Sequence, residues 1–122
     1  MVEEYKVKYY AESQTGKSPV LAYILSLDSK SMAKVEKYIK YLRLCEGYLD
    51  EPYSKHITGK IRELRVDFSH THHRIFYFTF VGKNIILLHG FLKKTPKTPH
   101  QEIARAVNNY NDFMINQNVY DY

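Results

Sequence analysis

The sequence predicts an α+β fold of order β-α-α-β-β-β-α, an antiparallel sheet packed by helices. Three observations carry this reading. Stretches between Lys60 and Phe91 have the period of two and the β-branched and aromatic content of strands. Before them, two segments repeat apolar residues at helical spacing behind capping residues, and a last capped helical stretch comes after the strands.

In chain order, Glu4 to Tyr10 sets Tyr5, Val7 and Tyr9 against Glu4, Lys6 and Lys8, the alternation of a strand with one buried face. Ser18-Pro19 pairs an N-cap with a proline at the first helical position, where its missing N–H costs nothing. Leu21, Ile24 and Leu25 then form a short apolar face. Asp28 to Ser31 supplies further caps for a longer amphipathic helix whose stripe is Met32, Val35, Ile39, Leu42 and Cys45, with Gly47 as its C-terminal cap. Tyr48 to Thr58 has no period and is punctuated by Pro52 and Gly59, so it reads as a loop.

From Lys60 to Phe68, Arg62, Leu64, Val66 and Phe68 share a core face, while Ile61, Glu63, Arg65 and Asp67 share a mainly charged one. Ser69 to His73 reads as a polar hairpin turn. Arg74 to Val81 is apolar on both faces, as a central strand is, and Gly82-Lys83-Asn84 turns the chain into a final strand, Ile85 to Phe91. Thr98-Pro99-His100-Gln101 reads as a capping box for a helix with Ile103, Val107, Tyr110 and Met114 on its packed face, and Asn116 to Tyr122 as a frayed end. Helices are expected to cover one sheet face.

The 122 residues fit one domain, 1–122, without internal repeats. Cys45 is the single cysteine, so no internal disulfide forms and a reducing cytoplasm is the expected compartment. No apolar run approaches the roughly 20 residues that span a bilayer, and Met1-Val2-Glu3-Glu4 is unlike a signal peptide. Charge is one-sided: residues 55–105 hold ten Lys or Arg against three acids, a net of +7, while the first 54 balance at eight against eight. All six histidines lie in the basic half. Such asymmetry is a footprint for a polyanion, most simply nucleic acid.

Specific residues carry the resemblance to a known family. Lys60-Ile61-Arg62-Glu63-Leu64-Arg65, His73-Arg74-Ile75-Phe76-Tyr77 and Leu88-His89-Gly90-Phe91-Leu92-Lys93-Lys94-Thr95-Pro96-Lys97-Thr98-Pro99, followed by Glu102-Ile103 and Ala106, resemble the RelE/ParE toxin superfamily, within it the phage-derived HigB-like branch. The resemblance implies a RelE-like fold and the toxin of a type II toxin–antitoxin pair: a ribosome-dependent mRNA endoribonuclease that needs no metal or organic cofactor. Its partners would be mRNA, the ribosome and a cognate antitoxin that silences it in a hetero-oligomer, with no membrane role. Carried over residue by residue, the catalytic positions fall on Arg65, Arg74, Lys93 and Lys94. RelE-type relatives often place a lysine two residues before the strand arginine; Glu63 stands there, as is common in the HigB-like branch. The C-terminal catalytic tyrosine of some relatives has no clear counterpart.

RNA cleavage without metal needs a base for the 2′-OH, cations for the phosphate and an acid for the leaving oxygen. Arg65 and Arg74 suit the phosphate clamp, Lys93 or Lys94 the proton transfers, with His89 and His100 as alternatives by chemistry alone. Lys60, Arg62, Lys83 and Lys97 are expected to bind flanking phosphates in RNA. Bland readings stand beside these. Arg65 pairs equally well with Glu63 or Asp67 on an exposed sheet; Phe76, Phe78 and Phe80 read as core before they read as a stacking platform. His70, His72 and His73 lack an acidic or cysteine partner at ligand spacing, and Cys45 reads as a small core residue. A ParE-like gyrase inhibitor and a non-catalytic basic RNA-binding module are the alternative functions.

Overall fold

The computed structural model describes residues 4–117. The order is β1 (Lys6–Tyr9), α1 (Pro19–Leu25), α2 (Ser29–Leu44), β2 (Ser54–Thr58), β3 (Ile61–Phe68), β4 (Thr71–Phe80), β5 (Asn84–Leu92) and α3 (His100–Ile115). The α+β class and all expected elements are present, in an architecture compatible with a RelE-like fold. One strand is added: Ser54–Thr58, read from sequence as loop, forms β2 at the sheet edge. The sheet order is β1-β5-β4-β3-β2, antiparallel throughout except that β1 lies parallel to β5, making the sheet mixed. Of the expected frayed end, residues 118–122 lie outside the described residues, as do Met1 to Glu3 of the acidic start.

Caps set the first two helices. Ser18 Oγ accepts from the Leu21 amide at 3.3 Å with Pro19 in the first turn, and Asp28 Oδ1 accepts from the Ser31 amide at 2.7 Å. Each satisfies an amide that the helix leaves without a partner. In α1 the buried side chains are Val20 and Ile24, whereas Leu25 is exposed, so the apolar face is rotated from the expected one. In α2, Val35, Ile39 and Leu42 are buried as expected, but Cys45 is the C-cap residue and is exposed. The helix has ended there, so its periodicity no longer directs that side chain inward. The expected capping box of α3 is absent: Pro99 holds the N-cap position without a side-chain hydrogen bond, and the Thr98 hydroxyl donates instead to Glu63 Oε2 at 3.2 Å.

Helices cover both faces of the sheet rather than one. Val20, Ile24, Val35, Ile39 and Leu42 pack on Leu64, Val66, Ile75, Tyr77, Ile85 and Leu87. On the opposite face, Ala106 and Phe113 of α3 pack with Ile61, Phe76, Phe78, Ile86, Leu88 and Phe91, assigning the phenylalanines to core. Each fully buried Val, Leu, Ile or Phe among them stabilises the fold by about 1.5–3 kcal/mol. The loop after β5 carries the chain around the sheet end, which is why α3 returns on the second face.

Two details of the ladder position the site. The β3–β4 turn is only Ser69-His70, both with positive φ (50° and 66°), the conformation of a tight hairpin turn whose twist matches its strands. His72 and His73 are therefore strand residues, not turn residues. Further along, β5 carries a bulge, where Phe76 pairs with His89 but Tyr77 with Leu87. The extra residue swaps the faces of the rest of the strand, so that His89 and Phe91 join Phe76 on the α3 side. Gly90 then faces Tyr23, where an added Cβ would stand 2.7 Å from the ring.

Candidate functional site

The charged row of β3 does not face open solvent. Glu63 is 0% exposed; its Oε1 accepts from Arg65 Nε at 3.2 Å and lies 3.9 Å from Arg74 Nε, while Oε2 accepts from Thr98. A buried carboxylate is tolerable only when it is paired and hydrogen-bonded, and these three partners meet that need. Arg65 and Arg74 are direct cross-strand partners, so two guanidinium groups stand side by side above Glu63. Arg74 is 6% exposed, and its Nη1 donates to Asp67 Oδ1 at 2.8 Å and to the His73 carbonyl at 3.0 Å. Its Nε is buried without a hydrogen-bond partner among the described residues.

Beside these arginines opens a cleft of about 480 Å³ lined by His70, Thr71, His72, Arg74, Leu92, Lys93, Lys94, Thr95 and Pro96. It lies where the β3–β4 hairpin ends and the chain leaves β5, with the Lys93 amide donating to the His72 carbonyl at 2.8 Å. Burial, and then the repulsion of Arg74, lowers the Lys93 pKa from its ordinary value. Four of the expected residues thus meet: Arg74, Lys93 and Lys94 line the cleft, and Arg65 stands next to Arg74 across the ladder.

The expected phosphate contacts divide. Lys97 belongs to the same loop as Thr95, whose hydroxyl donates to the Lys97 carbonyl at 2.7 Å. Lys60 and Lys83 sit in the turns at the other end of the sheet, next to β3's start and β5's start. Arg62 points to the α2 side, its Nε donating to Ser54 Oγ at 3.1 Å and its guanidinium 4.7 Å above the Tyr48 ring.

The histidines separate by environment. His73 is buried, its pKa lowered by burial, and its Nδ1 shares a 2.6 Å hydrogen bond with the Tyr23 phenol; burial holds that phenol protonated, at about 12. His89 packs against Phe76 and Phe91, which also contact each other, and lies 3.4 Å from Glu102; burial lowers its pKa as well. His100 opens α3 on the surface. His72 does reach the cleft, and its Nδ1 lies 2.9 Å from Asp67 Oδ1. Sequence reasoning missed Asp67, His72 and Thr98; a two-residue turn at Ser69-His70 would have revealed the first pair, since it sets Asp67 opposite His72.

Among the described residues, no group of three or more His, Cys, Asp or Glu is placed to hold a metal, and no helix is long and apolar enough to cross a membrane. A comparison with curated proteins returns no match. A known family does match, over residues 22–111, a span that includes α2, the β2–β5 ladder, the cleft and most of α3. That span is most of the chain, and the chain belongs to the family of phage-derived Gp49-like proteins.

Proposed function

We propose that this chain, as a single RelE/HigB-like domain over residues 1–122, is the toxin of a type II toxin–antitoxin system. It cleaves messenger RNA on the translating ribosome without a metal, and a protein antitoxin neutralises it in a hetero-oligomer in the cytoplasm. The observation that carries this reading is the convergence of Arg74, Lys93 and Lys94 on one cleft, with Arg65 ion-paired behind them through Glu63. Membership of the Gp49-like family and the motifs that resemble RelE-type toxins support it.

In this reading, an RNA 2′-oxygen attacks the adjacent phosphorus as the bond to the 5′-oxygen breaks, giving a 2′,3′-cyclic phosphate and a 5′-hydroxyl. Arg74, held by Asp67 and the His73 carbonyl, offers fixed donors to the charge that develops on the phosphoryl oxygens. Arg65 adds long-range charge from beside it. Lys93, whose proton is loosened by burial and by Arg74, protonates the leaving oxygen. Lys94 and Lys97 hold the flanking phosphates, with salt-dependent affinity. Lys60 and Lys83, at the other end of the sheet, do not touch the cleaved phosphate.

Primer extension on a translated message, with ribosomes and the purified chain, tests this. New cuts that disappear in Arg74→Ala and Lys93→Ala, in variants that keep the native circular dichroism, are expected. An uncut message would overturn the nuclease reading and direct attention to gyrase.

A further inference from the structure

We propose that His72 is the general base of the cleft and that Asp67 orients it; this rests on the nuclease reading above. The geometry comes from the ladder. Asp67 and His72 are cross-strand partners one step from the two-residue turn, and on the same strand face the next pair is Arg65 with Arg74. His72 Nδ1 is 2.9 Å from Asp67 Oδ1. Asp67 is ionised: burial alone would raise its pKa, but hydrogen bonds from Arg74 and His72 bring it below the ordinary value. An ionised carboxylate only accepts, so Nδ1 carries the proton and Nε2 of the neutral ring is left as the acceptor.

Every other histidine on these strands is disqualified by its surroundings. His73 lies on the opposite face, bonded to Tyr23, and His89 is packed against Phe76 and Phe91 with its Nε2 turned to Glu102. His72 alone among the strand histidines combines a fixed tautomer with a place in the cleft wall. Its charged and titratable surroundings are Asp67 from β3, Arg74 from β4, His70 from the turn, and Lys93 and Lys94 from the segment after β5.

In the balanced step, the 2′-OH proton passes to His72 Nε2 as the 2′-oxygen bonds to phosphorus. The bond from phosphorus to the 5′-oxygen breaks, and that oxygen takes a proton from the Lys93 ammonium. The imidazolium then returns its proton to water and the lysine recovers one. Asp67 is a positioning residue twice over, since the same Oδ1 accepts from His72 and from Arg74. For that reason, Asp67→Asn disturbs base and clamp together, and His72 is the residue to vary.

The test is cleavage of a ribosome-bound message by the full chain, wild type and His72→Ala, across pH and with added imidazole. Proton transfer by a positioned side chain contributes about 10²–10⁴-fold, so His72→Ala should lose that much rate. Free imidazole should restore part of it in His72→Ala and none in Arg74→Ala, and the histidine inflection of the wild-type pH–rate profile should vanish. His72→Ala cleaving within about threefold of wild type would overturn the assignment while leaving the nuclease reading standing. So would a loss that imidazole does not repair and that leaves the pH profile unchanged, which is the signature of a structural role. A wild-type chain that cuts nothing would overturn both.

Discussion

Replacing Glu63 by alanine should destabilise the protein by about 3 kcal/mol. The carboxylate is fully buried and serves Arg65, Thr98 and, at longer range, Arg74. Breaking a buried ion pair from one side costs about 3–5 kcal/mol, because a charge is left without compensation. Two features place this case at the lower end. Arg74 keeps Asp67 at 2.8 Å, and the Arg65 side chain is 23% exposed, so water screens part of its charge. Glu63→Gln preserves the shape, and its amide still meets both donors, with Thr98 Oγ1 turned to accept; only the charge is lost, at a cost of about 1–2 kcal/mol. Urea unfolding monitored by circular dichroism measures both, with an unchanged m-value expected. In thermal terms, Glu63→Ala should lower Tm by about 10–15 °C for a chain of this size. An alanine variant within about 1 kcal/mol of wild type would refute the reasoning, because it would mean that the two arginines find adequate solvation without the carboxylate.

Asp112 gives a pH prediction. Hydrogen bonds from the Ser13 and Tyr10 side chains, the Ser13 amide and Asn116 hold its pKa down at about 2. A depressed carboxylate contributes stability that is complete above its unfolded value near 3.9 and is lost as pH falls through about 2. Discounted for its partial exposure, this is about 1 kcal/mol; Asp112→Asn should lower Tm at pH 7 and match wild type near pH 2 in thermal melts. Gly90→Ala should cost about 1–3 kcal/mol in urea unfolding, because the new methyl would stand 2.7 Å from Tyr23 Cδ2, and that ring is fixed by its bond to His73. Cys45, the single cysteine, should react stoichiometrically with a thiol reagent in the native state, since it is exposed; a reaction that waits for denaturant would restore the core reading.

Much of this fold is legible in the sequence wherever a local period decides the outcome. The β3, β4 and β5 strands, the two helices after β1 and the caps at Ser18 and Asp28 arise from spacing and from the chemistry of helix ends. Features decided at long range escape. β2 is an edge strand with the burial pattern of Ser54 inside and Ile57 half-covered, so Ser-Lys-His-Ile-Thr carries no alternation to detect. The pairing of β1 with β5 joins residues far apart in the chain. Glu63 reads as a surface charge because the group that covers it, Thr98, lies 35 residues away and has a plausible local use as a cap. The catalytic candidates Arg74, Lys93 and Lys94 converge because both ends of the β4–β5 path meet at one sheet end. Asp67 and His72 escape for a different reason: a turn drawn from Ser69 to His73 removes from the ladder the very residue that pairs with Asp67.

Under the proposed function, the charge at this sheet end serves binding rather than stability. On the α3 side, the apolar layer of Ile61, Phe76, Phe78 and Phe91 gives way, along the same strands, to Glu63, Arg65, Asp67, His72 and Arg74. Like charges directly opposite one another destabilise a strand pair, and Arg65 faces Arg74. Apolar residues in place of the whole cluster, Glu63 included, would fold as well or better, since a buried ionic cluster seldom stabilises more than hydrophobic packing of the same volume. The two arginines are instead kept, with Glu63 sealed beneath them and Thr98 drawn out of its capping role to serve that carboxylate. Glu63 and Asp67 are both committed to the arginines, while among the described residues neither Lys93 nor Lys94 has an ion-pair partner. The cleft therefore remains positive on its open side, where a phosphodiester would meet donors already fixed in place, and the cost of assembling them has been met in folding rather than at the moment of binding.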